Sequence, residues 1–100
     1  MKQKRLKPDA RKDDILAAAL PLAASEGYAN LTREQVGTAA EVSGPVLNYY
    51  WGTMNQFRRA LMRYAVQVEC LAVVAQGVIS GEANLAEGDP LRRRALDSLR

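Results

Sequence analysis

The stretch "EVSGPVLNYYWGTMNQF", Glu41 to Phe57, carries two helix-start signals and no catalytic group. Ser43 is a favoured N-cap, and Pro45 two residues on fits a helical first turn. Thr53 is a second cap, with Gln56 three residues later completing a capping box. Between the two signals, Leu47, Tyr50 and Trp51 share one side of a helix and are suited to packing. Gly44, Pro45, Val46, Asn48 and Tyr49 lie on the other side and remain free.

Immediately upstream, "LTREQ" opens another helix, with Thr32 as N-cap and Gln35 as its box partner. Val36, Ala39 and Ala40 form its inner face; it ends near Glu41, and Val42 plugs the turn. Two short helices separated by about four residues make a helix-turn-helix. Small residues at the start of the second of them let its backbone approach the floor of a DNA groove. Asn48 can pair with the two major-groove edge atoms of adenine or with phosphate, and Tyr49 and Val46 can touch thymine methyls. Taken alone, "SGPVLNYY" also fits an ordinary capped helix. Further upstream, Ile15, Ala18, Ala19, Leu22 and Ala23 recur at helical spacing, with Asp9 as cap and Gly27 as stop. Pro21 sits inside that helix and removes one backbone bond.

Composition narrows the function classes. One hundred residues, 48% of them apolar, make one domain, or one small domain plus an appendage. No run approaches the ~20 apolar residues of a membrane span, and the basic start has no apolar signal region after it. A soluble, cytoplasmic protein with no membrane partner is expected. Histidine is absent, which removes the usual general base and the commonest zinc ligand. A single cysteine, Cys70, excludes a multi-cysteine metal site and reads as a small buried hydrophobe. No enzyme activity, metal or cofactor is expected. The net charge of +3 is unevenly placed: Lys2, Lys4, Arg5, Lys7, Arg11 and Lys12 face Asp9 alone in the first twelve residues. A basic arm over residues 1–9 ahead of a near-neutral body suits an anionic polymer.

Downstream, a long fourth helix is expected from Met54 to about Gln76, with Phe57, Leu61, Tyr64, Val68 and Leu71 as its first stripe. After Ala65 the apolar residues cover most of the circumference, so burial on several sides is required. A second copy of the chain is the economical cover, through Val66, Leu71, Val73, Val74 and Val78. "QGVISGEANLAEGDP" reads as loop, and a last short helix starts at Pro90 with Leu91, Leu96 and Leu99 inward. Arg92 to Arg94 then form a solvated flank. The organisation is a basic arm over 1–9, a helix-turn-helix domain over 10–62 and a helical dimerisation segment over 63–100.

The run from Ile15 to Phe57 resembles the DNA-binding domain of the TetR family of bacterial regulators. The shared features are the first helix ending at Gly27, the threonine opening the second helix, the Val-Ser turn, Leu47 and the aromatic Trp51. The resemblance implies an all-α fold: a three-helix domain followed by a long fourth helix and a short C-terminal one. It implies that Thr32 and Arg33 hold the DNA backbone, that Gly44, Pro45, Val46 and Tyr49 face bases, and that Tyr50 reaches a phosphate. Ser43, Asn48 and Asn55 complete the expected contact set, with Lys4, Arg5 and Lys7 from the arm. The chain departs from the family at Glu41, Asn48 and Met54, where glycine, tyrosine and lysine are usual. Weaker phosphate grip by the motif and greater dependence on the arm are the expected consequences, with Asn55 and Arg58 as further compensating contacts. The residues after Phe57 are too few for the family's usual effector-binding domain, so a small-molecule effector is not expected.

The function implied is a sequence-specific regulator of transcription, a repressor binding double-stranded DNA as a homodimer. The alternative is a shortened module that pairs with a full-length regulator and blocks it. If the arm grips DNA, deleting residues 2–7 should flatten the salt dependence of binding by a few units, at about −0.9 per phosphate contact. The preferred sequence should stay the same. A salt titration with an unchanged slope would remove the arm from the interface.

Overall fold

The computed structural model describes residues 8–99, with side chains from residue 10 onward. Lys4, Arg5 and Lys7, and the side chain of Asp9, lie outside the described residues. Every regular element described is helical: α1 Pro8–Glu26, a 3-10 turn Tyr28–Asn30, α2 Arg33–Ala40, α3 Gly44–Trp51, α4 Met54–Val68, α5 Leu71–Ser80 and α6 Pro90–Asp97. None of the described helices is long and apolar enough to cross a membrane.

α1 packs on α2 and α4 through Ile15, Leu16, Ala19 and Ala23, all buried. The alanines keep the helices close. Pro21 sits exposed within the helix, so its ring meets solvent. Gly27 ends α1 at φ 94, a conformation that favours glycine. The capping boxes stand as the sequence implies: the Thr32 and Thr53 hydroxyls each accept from the backbone N–H three residues on, at 3.1 Å. The inner face of α2 is Val36 and Gly37, whereas Ala39 is exposed. α6 starts at Pro90 under an Asp89 cap and buries Leu91 and Ala95. Leu99 lies past the helix and is exposed.

The fourth helix is shorter than its sequence suggests. It stops at Val68, and Glu69 adopts the left-handed conformation at φ 59. The Glu69 and Cys70 amides then close back on the Val66 and Ala65 carbonyls at 3.2 and 2.9 Å, the two bonds of a Schellman motif. α5 returns along α4 as a hairpin, so Gly77 comes against Met62 so closely that a Cβ there would collide with its sulfur. Cys70 sits at the corner, half-buried with a free thiol.

The hairpin changes the cover of the apolar run. Val73, Val74 and Ala75 are completely buried within the one chain, among α1, α4 and α6. Val73 and Val74 are therefore core residues rather than a surface for a second copy. Val66, Leu71 and Val78 remain half-buried against the same core, and Val68 and Ile79 are exposed. α5 is also bolted to the end of α1. The Gln76 side chain donates to the Ala23 carbonyl at 3.0 Å and accepts from the Tyr28 amide at 2.7 Å. The Tyr28 hydroxyl donates to Glu82 at 3.0 Å and lies 2.9 Å from the Ser80 hydroxyl. Burial, with the Glu82 carboxylate acting the same way, pushes this phenol above its ordinary pKa of 10.0.

Val73→Glu should accordingly abolish cooperative folding, because an unpaired carboxylate in the core costs several kcal/mol, comparable to the whole stability of a small domain. Circular dichroism during heating reads this directly; a Val73→Glu protein that stays folded and has only lost self-association would contradict the placement of Val73.

Candidate nucleic-acid interface

The corner between α2 and α3 aims the exposed face of α3. Glu41 takes the left-handed conformation, φ 59 and ψ 44, where its amide reaches the Gly37 and Thr38 carbonyls. The Val42 amide donates to the Gly37 carbonyl at 2.9 Å. These are the bonds of a Schellman motif, with a glutamate in the position that glycine fills most easily. Gly37 is what lets the corner close: a Cβ there would stand 2.8 Å from the Val42 carbonyl oxygen.

Ser43 precedes α3 as its N-cap by position, but its side chain makes no capping bond. Proline within the first turn lacks an amide, which leaves fewer donors to satisfy. From this start the helix presents two faces. Leu47 is buried at 3% exposure, while Tyr49 is 83% exposed and stands clear of the body. Pro45 and Asn48 are exposed beside it; Gly44 and Val46 are half-buried, Val46 packing against the core. A Cβ on Gly44 would lie 3.3 Å from Arg33 Cδ, so the start of α2 and the start of α3 meet there. Arg33 is exposed, with Glu34 and Glu41 around the same cleft.

An aromatic series fixes α3 to the core. Tyr49 meets Tyr50 edge-on at 5.2 Å, Tyr50 tilts against Trp51 at 5.7 Å, and Trp51 meets the buried Phe57 edge-on at 4.9 Å. Edge-to-face pairs of this kind add about 0.5–1.5 kcal/mol each beyond their burial. Tyr50 is half-buried, and the Lys12 ammonium stands 6.0 Å from its ring centre. The α3 face, Thr32 and Arg33 are thus gathered on one region. Asn55 is exposed, but its side-chain oxygen accepts from Arg58 at 3.0 Å.

Arg58, expected from the sequence as a compensating phosphate contact, has a structural task instead. Its guanidinium turns inward and donates to the Leu31 carbonyl at 2.9 Å, tying α4 to the start of α2. Only a contact across 27 residues identifies this, and no local pattern encodes it. Gly37 was equally silent in sequence, since a glycine inside a capped helix reads as a minor defect.

With this geometry in place, residues 15–61 match the family of bacterial regulatory proteins named for TetR. That segment is a TetR-family DNA-binding domain. It takes in the buried length of α1, both helices of the helix-turn-helix and the first half of α4. No curated protein and no solved structure matches the chain. DNA-binding regulation of transcription is the activity to which this TetR-type domain belongs.

Left-handed backbone costs a residue with a Cβ about 1–2 kcal/mol, and a free glycine loses part of that advantage to its own entropy on folding. Glu41→Gly should therefore stabilise the domain by about 0.5–1 kcal/mol. Urea unfolding reads the difference, and a destabilised variant would show that the Glu41 side chain supports the corner.

Proposed function

We propose that this protein is a sequence-specific repressor that reads DNA with α3 in the major groove. The carrying observation is the 83% exposure of Tyr49 on a helix whose opposite face is anchored by Leu47 and Trp51. A ring so exposed on a short, anchored helix is free to meet a partner, and a base edge or thymine methyl is a fitting one. Pro45 and the half-buried Val46 flank it toward the helix start, where Gly44 stands against the Arg33 side chain. Arg33 and the Thr32 end of α2 hold the adjacent phosphates. Asn48 takes a base edge or a phosphate, and Tyr50, beside Lys12, takes a phosphate.

One eight-residue reading helix supplies few base contacts. Two copies on a pseudo-palindrome double them, with half-sites one DNA turn, ~34–36 Å, apart or a multiple of that. The homodimer is thus inferred from the reading demand, since the apolar run of α5 is already covered within one chain. The apolar side chains available to pairing lie outside the core: Val68 and Ile79, with the rims of Val66, Leu71 and Val78.

Base contacts specify and phosphate contacts position. Tyr49→Ala should cost about 1–3 kcal/mol on a selected site and little on random duplex. Arg33→Ala should weaken both alike. Parallel titrations on a genomically selected site and a scrambled duplex test the assignment; equal loss on both from Tyr49→Ala would remove that ring from base readout.

A further inference from the structure

α4 contains three arginines and no carboxylate from Met54 to Val68. Asn55, Arg59, Arg63 and Gln67 follow one another at four-residue spacing, so they share a helix face, and all four are exposed. Like charges at i and i+4 destabilise a helix unless something else uses them. No described residue pairs with either: Arg58 bonds Leu31 and Asn55, and Arg94 pairs with Glu69 at 3.0 Å, but Arg59 and Arg63 contact no carboxylate among the described residues.

Their surroundings connect them to the C-terminal end of α3. Arg59 and Arg63 form one wall of a shallow groove whose other side is Tyr50, Trp51 and Gln56. Arg63 also borders a second groove with Lys12 and Trp51, and Lys12 in turn stands over Tyr50. Two acids are near. Asp13 lines the second groove, and Glu82 approaches the arginines from the far side while accepting from the Tyr28 hydroxyl. Three cations around two rings, with Asp13 as the carboxylate on that side, leave a net positive strip beyond the reading helix.

We propose that Arg59 and Arg63, with Lys12, form a phosphate-binding shelf that grips the DNA backbone flanking the sequence read by α3. This rests on the DNA-binding function proposed for α3 and extends it to a surface outside the helix-turn-helix. The guanidinium fork matches two phosphate oxygens at once, which suits arginine better than lysine at the two α4 positions. Because the shelf lies beside the end of α3, it would engage the duplex past the last base contacts. Its contribution is to affinity and footprint length rather than to sequence choice.

The test uses the full chain in anisotropy titrations over a salt series, on a selected site and a scrambled duplex of equal length. Arg59→Gln with Arg63→Gln should flatten the slope of log affinity against log salt by about 1.8, at 0.9 per cation. Affinity should fall by the same factor on both duplexes, leaving their ratio unchanged, and the thermal melt should stay that of the unsubstituted protein. Arg59→Lys with Arg63→Lys should recover most of the slope. Trimming the base pairs that flank the selected site should weaken the unsubstituted protein more than the double glutamine variant, which keeps only Lys12 of the shelf. An unchanged slope in that variant, or a loss confined to the selected site, would overturn the shelf while leaving base readout by α3 intact. Failure of the unsubstituted protein to bind either duplex would overturn the DNA-binding function itself, and the shelf with it.

Discussion

The approach of Gly37 to the Val42 carbonyl sets the geometry on which the rest of the molecule depends. With 2.8 Å between that oxygen and where a Cβ would stand, α2 and the turn after it are in contact with no side chain between them. The contact lets the Val42 amide reach the Gly37 carbonyl, which in turn requires Glu41 to adopt left-handed backbone. Two satisfied amides offset a conformational penalty of about 1–2 kcal/mol at the glutamate. The direction of α3 is set by that turn, and with it the outward stance of Tyr49 and the inward stance of Leu47.

The same motif recurs at Glu69, where it folds α5 back along α4. The pair explains how far the fold was legible in the sequence. At Glu41 the corner is announced by its downstream neighbours, since Ser43, Gly44 and Pro45 are helix-start residues regardless of the glutamate. At Glu69 nothing announces it. The segment "VQVECLAVV" has no glycine, proline or strong cap, and Cys70 makes no side-chain bond as the N-cap of α5. Its periodicity supports a straight helix through Val74, and only burial against α1 and α6 makes the hairpin better. The two capping boxes, the stripe of α1 and the opposed Leu47 and Tyr49 of α3 were legible because each is decided within one or two turns, whereas Val46, expected on the free face, packs against the core. The Arg58 bond to Leu31 and the Gln76 bridge to Ala23 and Tyr28 were not, because each joins residues far apart in the chain.

Those long-range ties give the helix-turn-helix its rigidity. α2 and α3 are eight residues each, too short to be stable alone. Arg58 holds the start of α2 through the Leu31 carbonyl, and Trp51 on Phe57 holds the end of α3. Both anchors belong to α4, which is itself backed by α5. Gln76 and Tyr28 then return the chain to α1, where α2 also packs. The segment after α4 therefore does structural work inside a single chain. The apolar residues that look in sequence like an unpaired surface are the filling that lets so few residues hold α3 still.

Charge is distributed by the same logic, and a net value of +3 conceals it. Arg58 and Arg94 are committed to contacts within the fold, one with a carbonyl and one with a carboxylate at its surface. The Arg58 Nε is left buried without a partner, so that arginine is held for its tie rather than for charge. Arg33, Arg59 and Arg63 are exposed, and they flank α3 near its two ends. Glu34 and Glu41 lie at the Arg33 end, so the positive potential there is partly cancelled. At the Tyr50 end, Lys12, Arg59 and Arg63 meet Asp13 in the adjoining groove and Glu82 on the far side of the two arginines. The side chains lining these grooves are consequently more positive near the C-terminal end of α3 than near its start.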